Sequence, residues 1–223
     1  MTATLAIAAA RPAFVTLEGG EGSGKSTQAR LLATALAERG IDAILTREPG
    51  GSTEAEAIRA LLVNGEPDRW DPMSEALLLF AARREHLRRT VRPALAAGKW
   101  VICDRFGDST VAYQGYAHGL GPDAIDRLAE IAIEGFRPDL TLILDLPVEI
   151  GLERARGREP GREDRFERMG EAFHRRLREG FREIARKEPE RCKLIDATRP
   201  IARIHDDVLA AVLALAPGRA ARA

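Results

Sequence analysis

Between an apolar run, Phe14 to Leu17, and a helical pattern that begins at Lys25 stands Gly19-Gly20-Glu21-Gly22-Ser23-Gly24-Lys25-Ser26, followed by Thr27. The stretch satisfies G-x-x-x-x-G-K-[ST]. Glycines at these places let successive backbone N–H groups turn inward around an anion, and the helix that follows presents its positive end to the same point. Lys25 would reach the outer phosphates of a bound nucleotide, and Ser26 would ligate magnesium. The bland alternative is a glycine-rich turn capping an ordinary helix, with Ser23 or Ser26 satisfying backbone donors. Composition weighs against it. Lys25, Lys99, Lys187 and Lys193 are the only lysines among 223 residues, so a lysine here is less often accidental.

Short apolar runs alternate with helix-length amphipathic stretches. Phe14 to Leu17, Ala43 to Thr46, Trp100 to Cys103, Leu140 to Leu144 and Lys193 to Ile195 read as buried strands. Helices are expected over Lys25 to Arg39, Thr53 to Leu62, Pro72 to Ala97, Pro122 to Glu134, Val148 to Arg156, Arg165 to Lys187 and Pro200 to Leu215. Gly40 and Gly98 fall where helix-ending residues belong. This order implies an α/β fold, a parallel sheet with right-handed crossovers and helices on both faces, whose ligands collect at the carboxyl ends of the strands. We expect a single domain over 13–215, a flexible extension over 1–12 and a flexible tail over 216–223.

Formal net charge is +0, so bulk charge suggests neither nucleic acid nor an acidic membrane as partner. No apolar run reaches the length of a membrane span. Cys103 and Cys192 read as two reduced core thiols, which favours the cytoplasm. A guanine switch would carry an Asn-Lys-x-Asp base reader, but Asn64 is the only asparagine and Gly65-Glu66 follow it. Two classes remain: a kinase with a second substrate, and a nucleotide-binding regulator without catalysis. Only second-substrate residues separate them. After the third strand come Asp104-Arg105-Phe106 and Gly107 to Gly115; after the second, Thr46-Arg47-Glu48-Pro49-Gly50-Gly51; within the long helix, Leu79-Phe80-Ala81-Ala82-Arg83-Arg84.

Together these motifs resemble those of the thymidylate kinases, from Phe14 to about Asp207. The resemblance implies the three-layer P-loop NTPase fold of nucleoside monophosphate kinases, with a five-stranded parallel sheet, the phosphate-loop strand in its middle, and a short mobile lid. It implies ATP and dTMP as substrates, Mg2+ as cofactor and a homodimer. It places Phe80 against thymine, Arg84 at a thymine carbonyl, and Pro49 across the thymine side. Arg105 would hold the dTMP phosphate, and Asp104 would sit near the metal and its waters. Ser109, Thr110 and Gln114 would line the base and sugar pocket, and Tyr113 would fill the space of a ribose 2′-hydroxyl. Arg47 and Glu48 either organise their loop or form a surface pair.

Residues 154–167 combine arginines with helix breakers and read as the lid. A solvated charged loop is the alternative. Relatives of this type carry the catalytic arginine either in the phosphate loop or in the lid. With Glu21, Gly22 and Ser23 inside its loop, this chain is expected to supply it from Arg156 or Arg158, with Arg154 near adenine. Glu21, and Glu167 at the lid's end, match acidic positions near the dTMP sugar and metal. Phe166 stands where a tyrosine is common, and Asp196 to Pro200 would border adenine.

Overall fold

Alternation along the first apolar run turns Val15 and Leu17 toward one buried cluster and Phe14 toward another, as the pleat of a strand requires. The computed structural model describes residues 11–156 and 165–215. The chain runs through β1 (Phe14–Glu18), α1 (Lys25–Ala37), β2 (Ala43–Arg47), α2 (Thr53–Val63) and α3 (Pro72–His86). A π-helical turn (Leu87–Val91) leads into α4 (Arg92–Ala96) and then β3 (Trp100–Asp104). Next come α5 (Gly107–Thr110), which passes into a second π-helical stretch (Val111–Ala117), then α6 (Pro122–Ile133) and β4 (Leu140–Asp145). The chain closes with α7 (Val148–Arg156), α8 (Glu171–Lys187), β5 (Cys192–Asp196) and α9 (Ile201–Leu213).

The five strands pair in parallel in the order β2-β3-β1-β4-β5, which puts the loop-bearing β1 in the middle. One face packs Val15, Leu17, Ile102, Leu142 and Leu144 against Leu32 and Leu36 of α1 and Ile204, Val208 and Val212 of α9. Leu32 and Leu36 are fully buried, each contributing about 2 kcal/mol. On the other face Phe14, Val101 and Cys103 meet Phe80 of α3 and Ile125 and Ile133 of α6. Farther along that face, Ile143 and Cys192 meet Tyr113 and the apolar stripe Phe173, Leu177 and Phe181 of α8. Two helical layers therefore enclose the sheet.

Each expected strand is present and ends one residue later than expected, on a charged side chain: Glu18, Arg47, Asp104, Asp145 and Asp196. Helix caps explain several boundaries. Ser52 accepts from the Ala55 amide to start α2, Asp71 with Pro72 behind it starts α3, and Gly40 (φ 73°) follows α1 in the left-handed conformation. Two expectations need correction, and one helical segment, over 107–117, is not among those expected. The helix expected over Pro72 to Ala97 is interrupted by its π-helical turn. The one expected from Arg165 starts at Glu171, because Gly170 (φ 81°, ψ 157°) breaks it and Arg165 is bonded elsewhere. The helical segment over 107–117 escapes the periodicity, since Gly107, Gly115 and β-branched Thr110 and Val111 give it a poor helical signature.

Of the expected extension, residues 1–10 lie outside the described residues, as do 157–164 of the expected lid and the tail 216–223. Residues 154–156 belong to the last turn of α7, and Arg165 is fully buried, so both ends of the expected lid are built into the fold. No helix among the described residues is long and apolar enough to cross a membrane.

Candidate active site

The carboxyl ends of β1, β3 and β4 deliver their following loops to one edge of the sheet. Gly19 (φ 131°) and Gly22 (φ 68°) adopt backbone conformations that side chains rarely take. A Cβ on Gly19 would lie 2.5 Å from the Leu144 carbonyl oxygen, and one on Gly22 2.1 Å from that of Gly151. Only glycine fits at either place. The loop wraps the buried Lys25, whose Nζ donates to the carbonyls of Gly20 (2.8 Å) and Gly19 (3.1 Å) and to Ser23 Oγ (3.3 Å). Burial and the nearby Arg105 push the Lys25 ammonium down to about 8. Its neighbour Ser26, exposed at the start of α1, donates its hydroxyl to Asp104 Oδ2 at the end of β3. A hydroxyl beside a carboxylate is an all-oxygen donor pair of the kind a hard divalent cation takes.

Opposite stands Arg105, held in the left-handed region (φ 71°) at a cost of about 1 kcal/mol. That conformation turns its guanidinium back over the loop. Nη1 donates to the Gly19 carbonyl (2.9 Å) and Ser109 Oγ (3.2 Å), and Nη2 to Glu21 Oε1 (2.8 Å). Tyr113 lies under it, 5.1 Å from ring centroid to guanidinium carbon, and donates its hydroxyl to the same Glu21 oxygen (2.6 Å). Burial alone would raise the Glu21 carboxyl, but the charges of Arg105 and Lys25 and the Tyr113 hydroxyl hold it at about 2. Burial pushes the Tyr113 hydroxyl up, which keeps it a donor. Beneath the cluster, fully buried Glu18 accepts from the amides of Phe106 (2.7 Å) and Ser109 (3.3 Å) and from Ser109 Oγ (2.5 Å). Burial and neighbouring Asp108 raise its carboxyl to about 8.

The expected base pocket is where sequence and structure diverge. Phe80 is 3% exposed, part of the core beside Phe14 and Phe106, with the Arg83 guanidinium over its ring. Arg84 is half exposed on the far side of α3; it donates to the Ala132 carbonyl (2.9 Å) and pairs with Glu134 (3.1 Å) at the end of α6. A cation suits a helix C-terminus, and residue 84 is turned about 100° from residue 83. The arginine that enters the site is Arg83. It is 2% exposed, its guanidinium carbon lies 4.9 Å from the Phe80 ring centroid and 5.1 Å from that of Phe106, and its Nε donates to Glu48 Oε2 (2.8 Å). Its Nη2 donates to the Phe106 carbonyl and to Thr110 Oγ1, both at 3.0 Å, while buried Nη1 has no partner among the described residues. One helical turn beyond Thr110, buried Gln114 donates Nε2 to Glu75 (2.5 Å) and leaves Oε1 likewise without a partner there.

Glu48 resolves the pair left open in the sequence: Arg47 makes an exposed pair with Glu56, whereas Glu48 is buried between Arg83 and His86. Pro49, half-buried, follows it, and its carbonyl accepts from Arg59 (2.7 Å). Sequence reading missed Glu18, Glu75 and Arg83 as site-building residues. For Arg83 a signal existed, since buried positions 76, 79 and 80 continue to 83 at helical spacing.

At the remaining edge, Arg154 donates to the Ala197 carbonyl (3.4 Å) beside the phosphate loop, which puts it against the Asp196 to Pro200 turn. Arg156 ends α7, exposed; Arg158 lies outside the described residues. Glu167 is half-buried, and its carbonyl faces His174 Nε2 (3.4 Å). Phe166 packs edge-on to Tyr113, ring centroids 5.5 Å apart, so the ring keeps a place at the site without a hydroxyl.

A phosphate-binding loop faces a buried acid–arginine cluster, with the buried polar groups of Arg83, Thr110 and Gln114 beside it, and comparison with known proteins names the family. The family profile described as "Thymidylate kinase" matches residues 17–208. A thymidylate kinase of Caulobacter vibrioides is 58% identical over 184 residues, 82% of this chain and 88% of that one. One from Ruegeria pomeroyi is 52% identical over 200 residues, covering 90% and 94%. The crystal structure of thymidylate kinase from Ehrlichia chaffeensis superposes with a TM-score of 0.72 at 38% identity, covering 90% of this chain and 98% of that chain. Loop, strand-end pair and the Arg83–Gln114 cluster thus stand within a match that spans nearly the whole sequence, and the chain belongs to the thymidylate kinase family.

Proposed function

We propose that this chain moves the γ-phosphoryl group of ATP onto dTMP, giving ADP and dTDP. The observation that carries the reading is the opposition of Lys25 and Ser26 on one side of the loop to Arg105 on the other. Two anionic substrates are thereby brought end to end. An oxygen of the dTMP phosphate attacks the γ-phosphorus in line, and the bond from that phosphorus to the β,γ-bridging oxygen breaks. The acceptor is already an anion, so no general base and no covalent enzyme intermediate are needed.

Lys25 and the amides of residues 19–24 hold the donor phosphates, with Thr27 behind them and Arg154 toward adenine. Arg105 holds the acceptor phosphate, which takes the place of Glu21 on its fork and frees Glu21 toward the sugar. Arg156 or Arg158 meets the charge of the migrating group. Ser26 and Asp104 would hold Mg2+, with Glu21 a further oxygen; bound there, the ion neutralises phosphate charge. Arg83 takes over the base contact expected of Arg84: its Nη1 donates to a thymine carbonyl while Gln114 Oε1 accepts from the ring N–H. Tyr113 and Ser109 flank the sugar, Glu167 closes that side, and Pro49 covers the base.

The reading also places the enzyme in the cytoplasm, where buried Cys103 and Cys192 stay reduced. It makes the enzyme a homodimer that covers exposed Leu61 of α2 and Leu77 of α3, with a sedimenting mass twice 24.4 kDa; a monomer's mass would refute that part. The catalytic test is product analysis. Incubation with ATP, Mg2+ and dTMP is expected to yield ADP and dTDP in equal amounts. Nucleotide binding without transfer would favour a regulator, and ADP without dTDP a hydrolase.

A further inference from the structure

Next to Gln114 lies a buried ion pair that touches none of the phosphate-binding residues. Glu75, in the first turn of α3, and Arg165, in the turn before α8, are both fully buried. Arg165 Nη1 donates to Glu75 Oε2 and to the Leu62 carbonyl (3.2 Å). Nε donates to the Glu66 carbonyl (3.0 Å) and Nη2 to that of Pro67 (2.8 Å). Its guanidinium carbon lies 5.1 Å from the centroid of the Phe166 ring, the ring that packs on Tyr113. Removing two charges from water costs several kcal/mol per ion, and a well-packed apolar pair often serves stability as well. Stability alone is therefore a weak reason for a glutamate and an arginine at this place.

The other carboxylate oxygen supplies a reason. Glu75 Oε1 accepts from Gln114 Nε2 at 2.5 Å. A carboxylate paired with a guanidinium has no hydrogen to give, so it holds the Gln114 amide by its nitrogen only. Oε1 of Gln114 is then turned away from Glu75, buried and without a partner among the described residues. Arg83, joined to Thr110 one turn earlier, carries an equally unpartnered donor, Nη1. The pair presents an acceptor and a donor in a fixed sense.

We propose that Glu75 and Arg165 are positioning residues that lock the Gln114 amide with its oxygen toward the acceptor base, selecting a base with an imide N–H beside a carbonyl. Thymine and uracil carry that edge. Cytosine presents the reverse, a ring nitrogen acceptor beside an amino donor. The inference rests on the acceptor-site reading and adds to it the residues that set the polarity of base recognition.

Glu75→Gln tests it, because the new amide can donate as well as accept and releases Gln114 to flip. The ratio of kcat/KM for dTMP to that for dCMP is expected to fall about ten- to a hundredfold, mainly through a higher KM for dTMP, with KM for ATP unchanged. Because one buried partner left alone can unfold the chain, Glu75→Gln with Arg165→Met removes both charges together and should show the same loss of selectivity. Folded variants that slow dTMP and dCMP by equal factors would overturn the proposal. Should neither variant fold, nitrogen-15 NMR of the wild-type Gln114 amide decides: its protons are expected to stay protected by Glu75 when dTMP is bound, and loss of protection would overturn the lock. A wild-type chain that phosphorylates no pyrimidine monophosphate would fail the acceptor-site reading instead.

Discussion

Lys25→Ala is expected to lower kcat about a thousandfold while leaving the melting temperature nearly unchanged. The ammonium is buried among two carbonyls and a hydroxyl, and among the described residues no carboxylate lies within ion-pair distance of it. Neutral acceptors satisfy its hydrogens without cancelling its charge, so the charge is available to phosphate oxygens. Charge that develops on the bridging and γ oxygens during transfer is met in place by a group already desolvated, and the interaction strengthens on the way to the transition state. Loss of such an interaction appears mainly in kcat. Steady-state rates under saturating ATP and dTMP, with a thermal melt on the same sample, check this; a kcat within tenfold of the parent would remove Lys25 from the chemistry.

Arg105→Ala should act on the other substrate, raising KM for dTMP about a hundredfold with KM for ATP little changed. Its fork reaches Gly19, Ser109 and Glu21, and Glu21 is an anion that an incoming phosphate can replace. Removing the guanidinium leaves Glu21 with the Tyr113 hydroxyl alone and sets two anions, carboxylate and phosphate, against each other. Initial rates with each substrate varied in turn separate the two constants. An equal rise in KM for ATP would contradict the division between donor and acceptor sides.

Much of this arrangement is readable in the primary structure, for definite reasons. The strands are short and nearly continuously apolar because helices cover both faces, and their apolar runs stop one residue early because each carboxyl end carries a charge. Those closing residues are part of the site edge: Asp104 binds Ser26, and Glu18 anchors the loop that follows β3. The glycine loop is readable because its spacing is set by backbone conformations that other residues rarely adopt. Arg83 and Arg84 are chemically identical neighbours, and only the rotation of α3 about its axis decides which one faces inward. Phe80 illustrates the same point, since an aromatic on a buried helix stripe is core unless the stripe itself borders the pocket.

The supporting ion pairs lay beyond sequence reasoning for a different reason. Glu48 meets Arg83 across 35 positions, and Arg165 meets Glu75 across 90, contacts created only when α3 packs beside the β2 loop and the turn before α8. In the sequence, Arg165 is one of several arginines in 154–167. Burial alone distinguishes it from its exposed neighbour Arg168.

The central claim, that the site beside Arg105 accepts thymidylate, is tested most directly by comparing kcat/KM across dTMP, dUMP, CMP, AMP and GMP with ATP as donor. The donor–acceptor pair of Arg83 and Gln114 predicts dTMP and dUMP, which share one edge, faster than CMP and AMP by at least about a hundredfold. Preference for AMP or GMP would contradict it.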